Sequence, residues 1–207
     1  MEDLNKTKKD KKEETPIDDT MGLKMSGHIL IRDKESGEEL VNKRNAIHYG
    51  NMANIIARAM TDKLGDYYIH FMGFGNGATS VDTAGKVIYK SPRVSESYES
   101  SGTLYSRTYQ KVVSNNTATD KIEVIPGPSY TDLKITCTLG YNEPSDADAF
   151  DTSTTNDGSY VFDELGLLSY ADDINDSILL THVIFHPVQK SKNREIEIVY
   201  TVRVQLN

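Results

Sequence analysis

Apolar and polar residues alternate along most of this chain, as they do in β-strands that bury one face. The clearest run covers residues 131–139, where Leu133, Ile135, Cys137 and Leu139 share one face. The pattern predicts about seven to ten short strands separated by polar turns. The runs that carry this prediction are 28–33, 39–47, 67–72, 104–113, 121–125, 131–139 and three more within 160–205. The first two runs flank the polar turn 35–38 and predict a hairpin, and the last three are expected to form a closing sheet.

The period of the pattern changes after Asn45. Apolar residues there recur at the spacing of one helix face, at Met52, Ile55, Ile56, Ala59, Met60 and Leu64. This spacing predicts one helix over about residues 50–64, with Gly65 as its left-handed C-cap. The opposite face is polar, so we expect the helix to lie on a sheet rather than inside a helical bundle.

Many short strands with one helix favour a mainly β fold of the α+β kind. We expect an antiparallel β-sandwich or barrel-like domain over residues 25–207, with the amphipathic helix packed on it. Residues 1–24 are dominated by charged and polar residues. They predict a flexible N-terminal arm that is disordered unless it binds a neighbouring subunit. The polar stretches 91–105 and 142–159 are expected to be loops that contact partners.

Composition excludes several classes of function. The net charge of −8 argues against a nucleic-acid partner, which needs a basic face. No apolar run approaches the roughly 18 residues of a membrane helix, so we expect no membrane partner. The single cysteine, Cys137, lies in an alternating run and is expected to be a buried strand thiol in a protein made in a reducing cytoplasm.

Candidate catalytic and metal-binding patterns have structural interpretations. His182 and His186 would face one side of a strand about 13 Å apart, too far to share an ion. The acidic stretch holds Asp146, Asp148, Asp151 and Asp157, but not at EF-hand spacing. A solvated loop is favoured there over a surface cation, which stays the alternative. We therefore expect no catalytic residue, no metal and no cofactor.

Two further patterns invite a chemical interpretation. Gly73, Gly75 and Gly77 alternate after a strand, but they lack the spacing of a phosphate loop. They predict a structural bend in which glycine permits a positive φ and close backbone approach. The adjacent acids Asp163 and Glu164 would point to opposite faces of a strand, so they are not expected to form a dyad.

The order of several motifs resembles that of small structural proteins of tailed bacteriophages. Asn45-Ala46-Ile47 opens onto the helix, and Met72-Gly73-Phe74-Gly75-Asn76-Gly77 follows a strand. Then come 162–167 (FDELGL) and 185–191 (FHPVQKS), before the last strand at 196–204. This order is similar to tail-fibre attachment, collar and baseplate-peripheral proteins of large contractile-tailed phages, over about residues 25–206.

The resemblance implies a virion structural protein, assembled in the host cytoplasm, that contacts other virion proteins in a homo-oligomer or symmetric ring or fibre. A head, neck or capsid-decoration protein is one alternative, and a carbohydrate-binding β-sandwich module is another. We expect structural roles for the motif residues. Glu164 would hold a strand end through backbone or lysine hydrogen bonds, and Gly166 would allow a bend. Pro187 would end the ladder of its strand, and Lys190 would lie in the turn that follows.

Overall fold

The computed structural model describes residues 22–61, 65, 67–94, 103–144 and 160–206. These residues form twelve strands and one α-helix. In chain order the elements are β1 (Leu23–Asp33), β2 (Glu39–Arg44), β3 (Ala46–Ile47), α1 (Tyr49–Met60), β4 (Ile69–Gly75), β5 (Thr79–Val81), β6 (Val87–Tyr89), β7 (Arg107–Val112), β8 (Lys121–Pro126), β9 (Tyr130–Leu139), β10 (Tyr160–Ser169), β11 (Thr181–Lys190) and β12 (Ile196–Leu206). A short 3-10 helix, Ile174–Asp176, lies between β10 and β11.

Two five-stranded antiparallel sheets pack face to face. Sheet 1 has the strand order β2-β1-β12-β9-β8, and sheet 2 has the order β3-β11-β10-β4-β7. Strands β5 and β6 form a separate hairpin. The predicted mainly β fold with one helix is confirmed, and of the two predicted architectures the structure is the sandwich.

The core lies between the two sheets. Sheet 1 contributes Ile29 and Ile31 from β1 and the alternate apolar residues of β9 and β12. The predicted inner face of β9 is confirmed, because Ile135, Cys137 and Leu139 are fully buried and Leu133 packs against them. Cys137 is therefore a buried strand thiol, and burial raises its pKa well above the ordinary value.

The predicted first hairpin is confirmed as β1 and β2. Its turn begins at Asp33, whose carboxylate accepts hydrogen bonds from the N–H groups of Glu35 and Ser36 at 3.0 and 2.8 Å. Gly37 has a φ of 74°, a conformation that glycine adopts without a steric penalty. The sequence Asp-x-x-Ser-Gly at residues 33–37 thus closes the turn through the Asp33 side chain and the left-handed Gly37.

The predicted helix is present as α1, but it is shorter than the predicted range 50–64, because it ends at Met60 and Thr61 is its C-cap. Met60, which belongs to the predicted apolar face, is 82% exposed, and Leu64, the last residue of that face, lies outside the described ranges. The buried side chains of the helix lie in its first turn, at Asn51 and Met52, so the last turn projects beyond the core. Gly65 has a positive φ of 50°, but it does not cap the helix.

The three closing strands do not share a sheet, which corrects the expected closing sheet. β10 and β11 pair in sheet 2, whereas β12 crosses to sheet 1 and lies between β1 and β9. The predicted boundary of the N-terminal arm is also displaced. Leu23 and Lys24 pair with Leu206 and Gln205, so the domain begins two residues earlier than expected.

Several predictions concern residues outside the described ranges. These are the arm up to residue 21, the middle of the 91–105 stretch, and residues 145–159 with their four aspartates.

Candidate functional site

Three of the predicted glycines form a flat strip on the outer face of sheet 2. A Cβ at Gly166 would lie 2.6 Å from the Thr181 carbonyl oxygen, and one at Gly75 would lie 2.5 Å from the Ser106 carbonyl oxygen. A Cβ at Gly73 would lie 2.8 Å from a Leu168 methyl carbon. Real Cβ atoms do not come this close to their neighbours, so Gly75 and Gly166, which face backbone oxygens, require glycine, whereas a Cβ at Gly73 would displace a leucine side chain.

The predicted close backbone approach at these glycines is confirmed, but the predicted positive φ is wrong. Close approach is confirmed, because residues 103–106 lie directly on the strip and Leu104 packs with Leu168 and Leu179 in a small cluster. The positive φ is wrong, since the left-handed glycines are Gly37, Gly65 and Gly85. The expected bend is wrong at Gly73 and Gly166, because β4 and β10 run through them. β4 ends at Gly75, however, and the chain bends at Asn76 and Ala78, on either side of Gly77.

Asp163 and Glu164 lie on the same outer face of β10, contrary to the prediction. Tyr160 and Phe162 point into the core, and three residues later the inward positions resume at Leu165 and Leu167. This step of three reverses the alternation and places both acids outside the sandwich core. The change coincides with an irregularity in the pairing with β11, between Phe162 and Glu164.

Glu164 is fully buried and holds residues from two separate stretches of chain. Its carboxylate accepts hydrogen bonds from the N–H groups of Ser106 at 2.8 Å, Tyr105 at 2.9 Å and Gly77 at 3.3 Å. A fourth bond, at 3.0 Å, comes from Nε2 of His182. The expected role of Glu164 as an acceptor for backbone groups is confirmed, although it acts in mid-strand and not at a strand end.

Asp163 acts on the same loop with its own set of donors. It accepts hydrogen bonds from the N–H of Ala78 at 3.1 Å, from the N–H of Thr79 at 2.8 Å and from the Thr79 hydroxyl. The two acids thus bind different groups and share no proton. Together they bind the N–H groups of residues 77–79, directly after β4.

His182 completes the cluster from β11, and it is also fully buried. Its Nδ1 accepts a hydrogen bond of 2.9 Å from the N–H of Arg93, while Nε2 faces Glu164. An imidazole with one accepting and one donating nitrogen is neutral, so the network selects the Nε2–H tautomer. The sequence around His182 predicts only an ordinary sheet-face histidine, and no pattern in it indicates the contact with Glu164.

We call residues 76–94 and 103–106 the covering segment, because Asp163, Glu164 and His182 hold them on the outer face of sheet 2. The covering segment is also tied to itself. The Lys90 ammonium donates to the Gly77 carbonyl at 2.6 Å and lies over the ring of Tyr105. The Tyr105 hydroxyl donates to the Ser91 carbonyl at 2.8 Å.

The electrostatics of the cluster favour an ionised carboxylate. Burial alone would raise the pKa of Glu164, but the hydrogen bonds from His182, Ser106 and Tyr105 outweigh it and lower the pKa. Both oxygens of Glu164 already accept two bonds from the protein itself. The cluster is therefore built to hold main chain, with no acceptor directed to a cleft.

The last two predicted motif residues, Pro187 and Lys190, lie away from this cluster. Pro187 does not end its strand, because β11 continues to Lys190 and pairs again with β10 at Val188. The ladder tolerates proline since Pro187 falls within the pairing irregularity. Lys190 is the last residue of β11 rather than part of a turn. It is buried, and its ammonium donates to the carbonyls of Gly140 and Ser191.

A small open cavity of about 250 Å³ lies at the end of β10. It is lined by the rings of Tyr67 and Tyr170 and by the carboxylates of Asp172, Asp173 and Asp176. Tyr68 stacks on Tyr170, and the Arg58 guanidinium lies 3.9 Å from the centroid of Tyr67.

Within the described ranges, no three histidine, cysteine or acidic side chains come together as a metal ion would need. In that same part of the chain no helix has the length and apolar character to cross a membrane. Comparison of the chain with family models, curated proteins and solved structures gave no match.

Proposed function

We propose that this protein is a structural subunit of a tailed-bacteriophage virion that acts through contacts with other virion proteins. The proposal places it with tail, baseplate or fibre-attachment proteins, in a symmetric assembly. A head, neck or capsid-decoration role uses the same domain and is the nearest alternative. The motif order between residues 45 and 204 supports the virion assignment.

The observation that carries a structural rather than a catalytic role is the use of the buried polar cluster. Asp163, Glu164 and His182 bind six main-chain N–H groups of the covering segment. Side chains that in an enzyme would face substrate here fix long loops to a rigid sheet. A domain of this kind suits the presentation of loops and edges to neighbouring subunits.

The test is the location of the chain in purified particles. Mass spectrometry of gradient-purified virions should find the chain in a fixed ratio to a known tail protein. Cryo-EM of the same particles should then contain density for a ten-stranded sandwich in the tail, baseplate or fibre-attachment region. Absence of the chain from particles, or substrate turnover by the isolated protein with saturating kinetics, would overturn the proposal.

The acidic cavity favours a second candidate, a carbohydrate-binding module. Sugar rings stack on aromatic faces and donate hydrogen bonds to carboxylates, and Tyr67, Tyr170 and Asp172 offer both. However, Tyr68 and His70 pack against Tyr170 and the Arg58 guanidinium lies over the ring of Tyr67, so both rings are already engaged by the protein itself. A glycan array decides this candidate: binding that Asp172→Ala abolishes and Glu123→Gln preserves would support it.

A further inference from the structure

Sheet 1 has an open edge at the start of β1. Strand β2 pairs with β1 only from His28 onward, because the chain leaves the sheet at Asn45. The N–H of Asn45 donates to the Gly27 carbonyl at 3.2 Å. Beyond that bond β12 pairs with one side of Leu23–Ser26, and the described residues place no strand on the other side. Backbone groups of alternate residues point to the same side of a strand. Met25 and Leu23 therefore direct their N–H and C=O groups toward the side that β2 leaves vacant.

The inner side of this edge is an apolar groove of about 200 Å³. Leu23 and Met25 form one wall, and Met52, Ala53 and Ile56 of α1 form the other, with Tyr49 at the rim. Leu23 is 46% exposed and Tyr49 is 74% exposed. An added strand would direct every second side chain into this groove.

The outer side of the same edge is a basic concavity of about 310 Å³. Lys24, His28, Arg44 and Arg203 line it. Arg203 is neutralised by two hydrogen bonds to Asp132, but neither Lys24 nor Arg44 makes an ion pair with a described residue. The side chains of an added strand that do not enter the groove would point to the outer face and lie near Lys24 and Arg44.

We propose that the vacant edge of β1 binds an extended segment of a partner protein in which apolar and acidic residues alternate. The backbone of the segment continues the position of β2, its apolar residues enter the groove against α1, and its acidic residues meet Lys24 and Arg44. Main-chain pairing gives affinity, and the contrast between the two faces of the sheet gives specificity. This inference deepens the proposed assembly function, on which it rests, by naming the chemistry of one partner.

Two other occupants fit the edge less well. A second copy that paired edge to edge would bring two sets of Lys24 and Arg44 together, and like charges across an interface cost affinity. Residues 1–21 precede the edge, but their apolar residues are sparse and do not alternate with acids. A partner segment with alternating acids has neither defect.

The test uses the full chain and a fluorescein-labelled peptide, acetyl-Thr-Val-Asp-Val-Asp-Val-Thr-amide, in anisotropy titrations. The expected result is saturable binding that weakens with added salt and weakens at least about tenfold when lysine replaces both aspartates of the peptide. The double variant Lys24→Glu/Arg44→Glu should weaken binding by a similar factor. Hydrogen exchange should slow at the amides of Leu23 and Met25 on addition of the peptide.

A matched pair of helix variants tests the groove. Ala53→Lys places a long side chain in the groove and should weaken binding about tenfold or more, since it occupies the space of an apolar anchor. Ala57→Lys lies one turn further along the exposed helix surface, outside the groove, and should leave affinity unchanged. Equal losses from both variants would overturn the proposal, because they would show that helix charge alone matters.

Four other results would also overturn the proposal. These are the absence of binding, equal affinity for the aspartate and lysine peptides, slow exchange at Met25 in the free monomeric chain, and a dimer joined through this edge. Slow exchange in the free monomer would assign the edge to the chain's own N-terminal residues. If the peptide does not bind, the protein can still be found in purified virions, so the binding proposal can fail while the proposed assembly function stands.

Discussion

Replacement of Glu164 by glutamine tests whether the buried cluster stabilises the fold. The substitution preserves shape but exchanges one accepting oxygen for an amide that only donates. The amide would face either the N–H groups of Ser106 and Gly77 or those of Tyr105 and His182. In both orientations two donors lose their acceptor, and of the four donors only His182 is fully buried.

The expected cost follows from that count. A buried donor left without its partner costs about 1–3 kcal/mol, so two unpaired donors, of which the main-chain ones are partly buried, predict a decrease of about 3 kcal/mol in the free energy of unfolding. His182 cannot relieve the loss by changing tautomer, because its Nδ1 already accepts from Arg93. Glu123→Gln is the control. Glu123 lies on the exposed face of β8 and pairs with Lys121, and the control should change stability by less than about 0.5 kcal/mol.

Urea unfolding followed by circular dichroism measures both variants, and hydrogen exchange at Tyr105 and Ser106 locates the effect. We expect these two amides to exchange faster in Glu164→Gln even under native conditions. A loss below about 1 kcal/mol, within the range of ordinary surface changes, would refute the view that Glu164 anchors the covering segment.

Three further predictions follow from single side chains. Gly75→Ala would place a Cβ 2.5 Å from the Ser106 carbonyl oxygen and should lower the free energy of unfolding by about 1–3 kcal/mol in urea titrations, whereas Gly22→Ala, with no atom within 4 Å, should be neutral. The N–H of Ser36 and the Arg194 guanidinium lower the pKa of Asp33 to about 2. The ionised Asp33 therefore contributes its full stability above its ordinary pKa, and this contribution is lost as pH falls toward 2. Asp33→Asn should flatten the fall in Tm between about pH 4 and pH 2, and an unchanged slope would contradict this. The Cys137 thiol should react with a disulfide reagent only as fast as the protein unfolds, because burial raises the pKa of the thiol and excludes the reagent. Rapid labelling of the native protein would contradict the position of Cys137 in the core.

Most of the fold was readable from hydrophobic periodicity, because strands that bury one face must alternate. The β1–β2 hairpin and the inner face of β9 follow directly from it. The end of α1 could not be read in this way. Met60 continues the apolar spacing of Met52 and Ile56, yet nothing in the spacing says how far the underlying core extends.

The site was harder to predict for a related reason. Strict alternation placed Asp163 and Glu164 on opposite faces, but the apolar pattern itself contains a step of three between Phe162 and Leu165. That step is a visible sign of the reversal, and it was available in the sequence. The contact between Glu164 and His182 had no such sign, because it depends on the register between β10 and β11.

The position of β12 has a consequence for how the protein is made. β12 lies between β1 and β9 and pairs with both. Its last residue, Leu206, pairs with Leu23, which is 183 positions earlier in the sequence. The other eleven strands that the structure describes are synthesised before β12. Until β12 emerges, β1 and β9 expose long unpaired edges on an incomplete sheet, which other chains can join. Folding of sheet 1 must therefore await β12, and a nascent chain at high expression depends on that late step to escape aggregation.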